Sequence, residues 1–174
     1  MNKKGSAIII WVVLIIVVGL AVWLALSKKS EAPQNETKNE KTINVFFLNK
    51  QRYAENIEPY EVKVERTVEA NKDSKQAVIE ELFKGPSAEE KQEGLMMIYS
   101  ETTGATLQFD ASTETARIDL RGECNSGGAT YTAANLIFKN LKQFPDVKYV
   151  RIYDSEGYTL FPEQGDSTPG CLQP

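Results

Sequence analysis

Residues 73–90, DSKQAVIEELFKGPSAEE, determine the local structure at the middle of the chain. Asp73 or Ser74 is suited to the N-cap of a helix, because each side chain can accept a hydrogen bond from a free amide of the first turn. Apolar residues follow at helical spacing as far as Lys84. Gly85-Pro86 then stops the helix, since proline cannot continue it and glycine tolerates the left-handed cap.

The second half of this stretch starts another helix. Ser87, followed three residues later by Glu90, has the spacing of a capping box, which predicts a short helix running to Gln92. We expect Leu95 and Met96 to fold the end of that helix onto the core. The stretch therefore predicts two consecutive helices separated by a sharp turn.

Strand patterns lie on both sides of these helices. β-branched and aromatic residues, or alternating apolar and polar residues, occupy five segments: Ile43–Leu48, Tyr60–Val68, Ala105–Phe109, Thr115–Leu120 and Val147–Tyr153. The polar residues 49–59 and 110–114 supply turns, the second of them a hairpin. Arg66 shares a strand face with two valines, so we expect it to lie at an edge or to pair with a carboxylate.

A third helix precedes the last strand. Ala134, Ile137, Phe138 and Leu141 have the i, i+3, i+4, i+7 spacing of one apolar helix face. The element order predicts an α+β domain of two layers, with helices packed on one face of a small, mainly antiparallel sheet.

The beginning of the chain predicts a membrane anchor. Residues 7–26 contain no charged side chain, and 20 helical residues span about 30 Å, the hydrocarbon thickness of a bilayer. A cleaved secretory signal is the alternative, but its apolar core is usually only about 7 to 15 residues long. The numbers of lysines on the two sides of residues 7–26 are nearly equal, so they do not set the orientation in the membrane. We place the C-terminal part outside the cytoplasm because a short N-terminal segment normally stays inside, and because the two cysteines suit an oxidising compartment.

The chain is expected to comprise a short cytoplasmic N-terminus, the single transmembrane helix, a flexible linker, one globular domain and a proline-rich tail. Their predicted ranges are 1–6, 7–26, 27–42, 43–161 and 162–174. The first 29 residues hold four lysines and no acid, so the remaining 16 basic residues face all 24 acidic ones, a net charge of −8. That balance disfavours nucleic acid as a partner.

Few catalytic designs are open to this sequence. The chain has no histidine, which excludes serine–histidine and cysteine–histidine nucleophiles and histidine-ligated metals. A carboxylate pair drawn from Asp110, Asp119 and Glu123 remains formally open, but carboxylates at strand ends are more often turn residues. We therefore expect a non-enzymatic protein with no cofactor and no metal.

The chain contains two cysteines, Cys124 and Cys171. An exported chain with two cysteines usually joins them, so we expect a disulfide that ties the tail to the loop before the third helix. Two free thiols are the alternative.

A candidate binding surface lies in that loop. Asn125, Ser126, Gly127 and Gly128 precede a helix and could offer amides to an anion, although they lack the lysine and glycine spacing of a nucleotide loop, and a simple turn is the alternative. Tyr131 follows them, and three later tyrosines, at 149, 153 and 158, could add to a binding surface. Strand tyrosines are also ordinary packing residues.

Several segments together resemble the GerMN domain of sporulation and spore germination proteins. The most specific is Leu82-Phe83-Lys84-Gly85-Pro86-Ser87-Ala88-Glu89-Glu90. The others follow in the expected order: Val45-Phe46-Phe47, Arg66-Thr67-Val68, Gly94-Leu95, Thr103-Gly104-Ala105-Thr106-Leu107, Ala116-Arg117-Ile118-Asp119-Leu120, Gly127-Gly128-Ala129, and Phe144-Pro145 with Val147 and Val150. The resemblance covers residues 43–153.

This resemblance implies a membrane-attached envelope domain with a ring-building-motif-like fold, and it brings no catalytic residues. We expect it to assemble with an envelope protein partner or with itself. A sensor of a small ligand or cell-wall fragment is the alternative, and it predicts a tyrosine-lined concave site near residues 124–128. A cell-wall hydrolase is a third possibility, and it predicts two carboxylates that converge in a cleft.

Overall fold

The computed structural model describes residues 39–174. The predicted cytoplasmic N-terminus, the predicted anchor and nearly all of the predicted linker fall outside this range. Within it, none of the helices combines the length and the apolar character that crossing a bilayer requires.

The domain contains six strands and four α-helices. In chain order they are β1 (Glu40–Asn49), α1 (Lys50–Ala54), β2 (Glu61–Glu69), α2 (Ser74–Lys84), α3 (Ala88–Gln92), β3 (Leu95–Met96), β4 (Thr102–Asp110), β5 (Thr115–Gly122), α4 (Ala133–Leu141) and β6 (Tyr149–Tyr153). A 3-10 turn, Gly170–Leu172, closes the described chain. These elements confirm an α+β fold.

The first sheet has the order β2-β1-β3 and is antiparallel throughout. Its central strand alternates, so that Ile43, Val45 and Phe47 are buried. Arg66 on the edge strand β2 donates to both carboxylate oxygens of Glu90, with Nη1 2.7 Å from Oε1 and Nη2 2.5 Å from Oε2. The edge position and the carboxylate partner expected for Arg66 are both confirmed.

The two consecutive helices form as the sequence predicts. Asp73 caps α2 by accepting from the amide of Gln76, and Ser87 and Glu90 form the reciprocal capping box of α3. Gly85 ends α2 with φ at 80°, and a Cβ there would lie 2.7 Å from the hydroxyl of Tyr99, so only glycine fits.

The second sheet has the order β4-β5-β6. β4 and β5 form the predicted antiparallel hairpin, while β6 pairs with β5 in parallel after the crossover through α4. The strands thus form two three-stranded sheets where one small sheet was expected, and α2 packs against both, through β1 and β4.

Side-chain amides explain why the sheets stay separate. Asn140 of α4 donates to the carbonyl of Phe46 and accepts from its amide, both at 2.9 Å, on the edge of β1 that no strand covers there. Gln143 donates to the carbonyl of Asn44. On β4, the amide of Leu107 donates to Gln76 of α2 at 3.2 Å. Helices therefore occupy edges that would otherwise accept a further strand.

The C-terminal tail packs against the second sheet. Ser167 pairs with Arg151 of β6 in a parallel bridge, and Leu172 is buried. Cys124 and Cys171 form a disulfide with their Cα atoms 5.6 Å apart. The predicted disulfide is thus confirmed. The boundaries drawn at residues 43 and 162 stay predictions, with β1 beginning at Glu40 and the tail contributing to the core.

Candidate functional site

An open groove of about 800 Å³ lies where the α1–β2 connection approaches the start of α4. Three tyrosines, two glutamates, a lysine, a proline and three neutral polar residues line it: Tyr53, Tyr60, Tyr131, Glu58, Glu61, Lys139, Pro59, Asn56, Thr130 and Asn135. We call this surface the tyrosine groove.

The three tyrosines pack as one cluster. The ring of Tyr53 stands edge-on to Tyr60 and to Tyr131, with the ring centroids 5.4 Å apart in each pair. The hydroxyl of Tyr60 donates to Asn56, and the hydroxyls of Tyr53 and Thr130 lie 3.3 Å apart. Edge-to-face packing of this kind stabilises aromatic pairs and fixes their orientation. The cluster is therefore preorganised.

A carboxylate lies beneath the cluster. The buried hydroxyl of Tyr131 donates to Oε1 of Glu61 at 2.6 Å, and Nζ of Lys139 lies 3.7 Å from Oε2. Burial, followed by the hydrogen bond to the Glu61 carboxylate, raises the pKa of Tyr131 far above its usual value. Tyr131 therefore stays protonated at physiological pH, and both oxygens of Glu61 are engaged.

Local caps set the positions of these side chains. Asn49 caps α1 by accepting from the amide of Arg52, which places Tyr53 on a short helix beside β2. Thr132 and Asn135 form a reciprocal capping box at the start of α4, so Tyr131 is held just before the helix. Capping hydrogen bonds at the starts of α1 and α4 thus hold the two sides of the groove.

The groove includes only part of the predicted binding surface. Tyr131 lines it, whereas Asn125, Ser126, Gly127 and Gly128 lie in the loop beyond it. Two loop amides are already engaged: that of Gly127 donates to the Asn125 side chain at 2.8 Å and that of Gly128 to the Ser126 hydroxyl at 3.2 Å. The loop is also separated from α4, which begins at residue 133. Anion binding there stays a prediction.

The other predicted tyrosines lie elsewhere. Tyr149 and Tyr158 are exposed, and Tyr153 lies beneath the guanidinium of Arg117, whose Cζ is 3.7 Å from the ring centroid. The groove instead contains Tyr53 and Tyr60, which no sequence pattern marked as binding residues. Both flank a polar segment without periodicity, and their proximity to Tyr131 depends on contacts about 70 residues apart.

Two of the three candidate carboxylates, Asp110 and Asp119, are offset along the second sheet. Asp110 accepts from the hydroxyl and then the amide of Ser112, and these bonds, the hydroxyl's first, lower its pKa. Asp119 pairs with Arg117 at 2.7 Å. Asp119 lies opposite Thr106, four residues from Asp110 along β4, which corresponds to roughly 13 Å. This backbone offset exceeds the separation of about 5 to 9.5 Å that glycosidase carboxylates have.

Comparison with known proteins identifies the family. A family model described as "Germane: Sporulation and spore germination" matches residues 44–160. The chain belongs to the Germane family. The resemblance seen in the sequence is thereby confirmed.

One solved structure similar to this Germane chain is described as the tandem GerMN domains of the sporulation protein GerM from Bacillus subtilis. The two are 22% identical, with a TM-score of 0.46, and the match covers 84% of this chain and 51% of that one. This chain therefore spans about half the length of that structure. No curated protein matches the chain.

Proposed function

We propose that this Germane chain is a non-catalytic interaction module of the cell envelope, and that it binds a protein partner in the tyrosine groove. The observation that carries the proposal is the preorganised cluster of Tyr53, Tyr60 and Tyr131 at an open surface. Tyrosines are enriched at binding hot spots, because each ring supplies a large rigid contact and its hydroxyl a hydrogen bond.

The contacts of Glu61 and Tyr131 support binding over catalysis at these two groups. A general acid or base needs a group free to exchange a proton with a substrate. Glu61 instead accepts from Tyr131 and faces Lys139, and the raised pKa of Tyr131 keeps that phenol neutral. Among residues 39–174, no His, Cys, Asp and Glu side chains cluster in a way that could hold a metal ion. These features favour a recognition surface.

We further propose that residues 7–26 anchor the chain in the membrane and that the domain lies outside the cytoplasm. The uncharged apolar run supports the first statement, because its length matches a bilayer. The Cys124–Cys171 disulfide supports the second, since disulfides persist mainly in oxidising compartments.

The test is crosslinking followed by affinity purification of the full-length protein from its own membrane. Tyr53→Ala removes the ring that touches both other tyrosines, and Tyr149→Ala is the matched control, because the two side chains are 39% and 42% exposed. We expect Tyr53→Ala to reduce recovery of the partner about tenfold or more, as hot-spot truncations do. Equal recovery with both variants would refute the groove as the binding site.

A second candidate function is binding of a cell-wall fragment, which the tyrosines and the neighbouring Asn56, Thr130 and Asn135 also favour. Aromatic faces pack against sugar rings, and amides and hydroxyls bond their hydroxyl groups. Calorimetric titration with solubilised wall fragments separates the two functions. Saturable binding that Tyr53→Ala abolishes, without any protein partner in the purification, would replace protein binding with wall sensing.

A further inference from the structure

Three large apolar side chains are exposed within four residues near the C-terminus. Tyr158, Leu160 and Phe161 are 68%, 41% and 66% exposed. A single exposed apolar residue needs no explanation, whereas a contiguous group of them marks an interaction site. We call residues 158–161 the apolar loop.

The apolar loop is held in place by its own backbone. The amide of Leu160 donates to the carbonyl of Thr168 at 3.1 Å, and the carbonyl of Phe161 accepts from Gln164 at 2.9 Å. The carbonyl of Tyr158 accepts from Asp154 at 3.0 Å. A partner that binds the loop therefore orders little additional backbone, which removes one of the main costs of association.

Phe161 has an unfavourable backbone conformation for its type. Its φ is 54°, in the left-handed region that glycine and asparagine enter readily and bulky residues avoid. The exposed ring contributes little to the core that could offset this cost. Such outliers cluster at binding sites, where the exposed side chain is itself needed.

The charged residues next to the apolar loop in the sequence are all acidic. Asp154, Glu156, Glu163 and Asp166 surround it in sequence, and no lysine or arginine follows Arg151 as far as residue 174. Lys142 approaches Asp166 at 3.1 Å, while Glu156 and Glu163 are exposed. An anionic lipid surface would be repelled, whereas a basic protein surface would be attracted.

We propose that the apolar loop is a second docking site, which takes a protein partner that presents an apolar pocket rimmed by lysine and arginine. A small depression lies beside the loop, lined by Phe138, Leu160 and Phe161 together with the polar residues Asp166, Ser167, Thr168 and Gln173. The site is distinct from the tyrosine groove, and the proposal does not rest on the function proposed for the groove.

The test places the photo-crosslinking amino acid p-benzoylphenylalanine at position 161 of the full-length chain in its native membrane. Position 99, where Tyr99 is 40% exposed, carries the same probe as the matched control. We expect a discrete protein adduct from position 161 alone, with the linked peptide of the partner flanked by lysine or arginine. Its yield should fall about tenfold with the double substitution Glu156→Lys and Glu163→Lys.

Two further variants make the result decisive. Leu160→Ser should lower the adduct yield while the disulfide and the circular dichroism spectrum stay unchanged, because Leu160 is exposed. Tyr53→Ala should leave the yield unchanged, which separates this site from the groove. Three results would each overturn the proposal. They are adducts with lipid only, an adduct yield that does not change with Glu156→Lys and Glu163→Lys, and the same adducts from position 99.

Discussion

Asn140 offers the sharpest test of how the fold is held together. Its side chain is fully buried and makes three hydrogen bonds of 2.9 Å, two with the backbone of Phe46 on β1 and one to the carbonyl of Leu136. Asn140→Leu keeps the number and branching of the side-chain heavy atoms and removes all three bonds. The amide and the carbonyl of Phe46 then lose their partner at an edge that α4 covers.

The expected cost follows from these two backbone groups. Each unsatisfied group costs about 1 to 3 kcal/mol, and the added apolar contact of leucine returns part of this, so the free energy of unfolding should fall by about 3 kcal/mol. For a domain of this size the midpoint of thermal unfolding should drop by about 10 °C. Circular dichroism melting of wild type and variant measures this directly.

Gln143→Leu is the matched control, because Gln143 bonds the carbonyl of Asn44 from a partly exposed position where water can replace it. We expect it to cost less than about 1 kcal/mol. If Asn140→Leu melted at the wild-type temperature, or no lower than Gln143→Leu, the account of the covered β1 edge would be refuted.

Three other predictions concern the stability contributed by the disulfide, by the Arg66–Glu90 ion pair and by the backbone at Phe161. Cys171→Ser, which opens the 47-residue span back to Cys124, should lower the free energy of unfolding by about 4 kcal/mol in denaturant titrations, and a reducing agent should affect wild type alone. Hydrogen bonding from Arg66 lowers the pKa of Glu90. The ion pair therefore contributes its full stability above about pH 4.5, and this contribution is lost as the pH falls through the lowered pKa. In Glu90→Gln the melting temperature should depend less on pH over that acidic range. Phe161→Gly should raise the free energy of unfolding by up to about 1 kcal/mol, since glycine relieves the left-handed strain, and a loss of stability would contradict that strain.

Local signals account for what the sequence predicted well. Asp73, the Gly85-Pro86 stop and the capping box at Ser87 and Glu90 each act within a single turn, so the pattern of residues determines the structure there. The β4–β5 hairpin is also local. The pairing of Cys124 with a distant cysteine was predictable because the chain offers only one partner.

Long-range contacts account for what the sequence did not reveal. The division into two sheets depends on Asn140 and Gln76, whose partners lie 94 and 31 residues away. Helix α1 has five residues, which is too short to show a helical period. Tyr53 and Tyr60 therefore appeared to lie in and beside an ordinary turn, and only the packed domain brings them to Tyr131.

Photo-crosslinking from the tyrosine groove of the full-length chain in its own membrane asks directly whether a protein partner binds there. The probe replaces Tyr53, and the same probe at Tyr149 is the control, since both positions are comparably exposed. We expect a discrete protein adduct from position 53 that position 149 does not give. Identical labelling from both positions, or no protein adduct from position 53, would contradict the assignment of the groove as the partner-binding site.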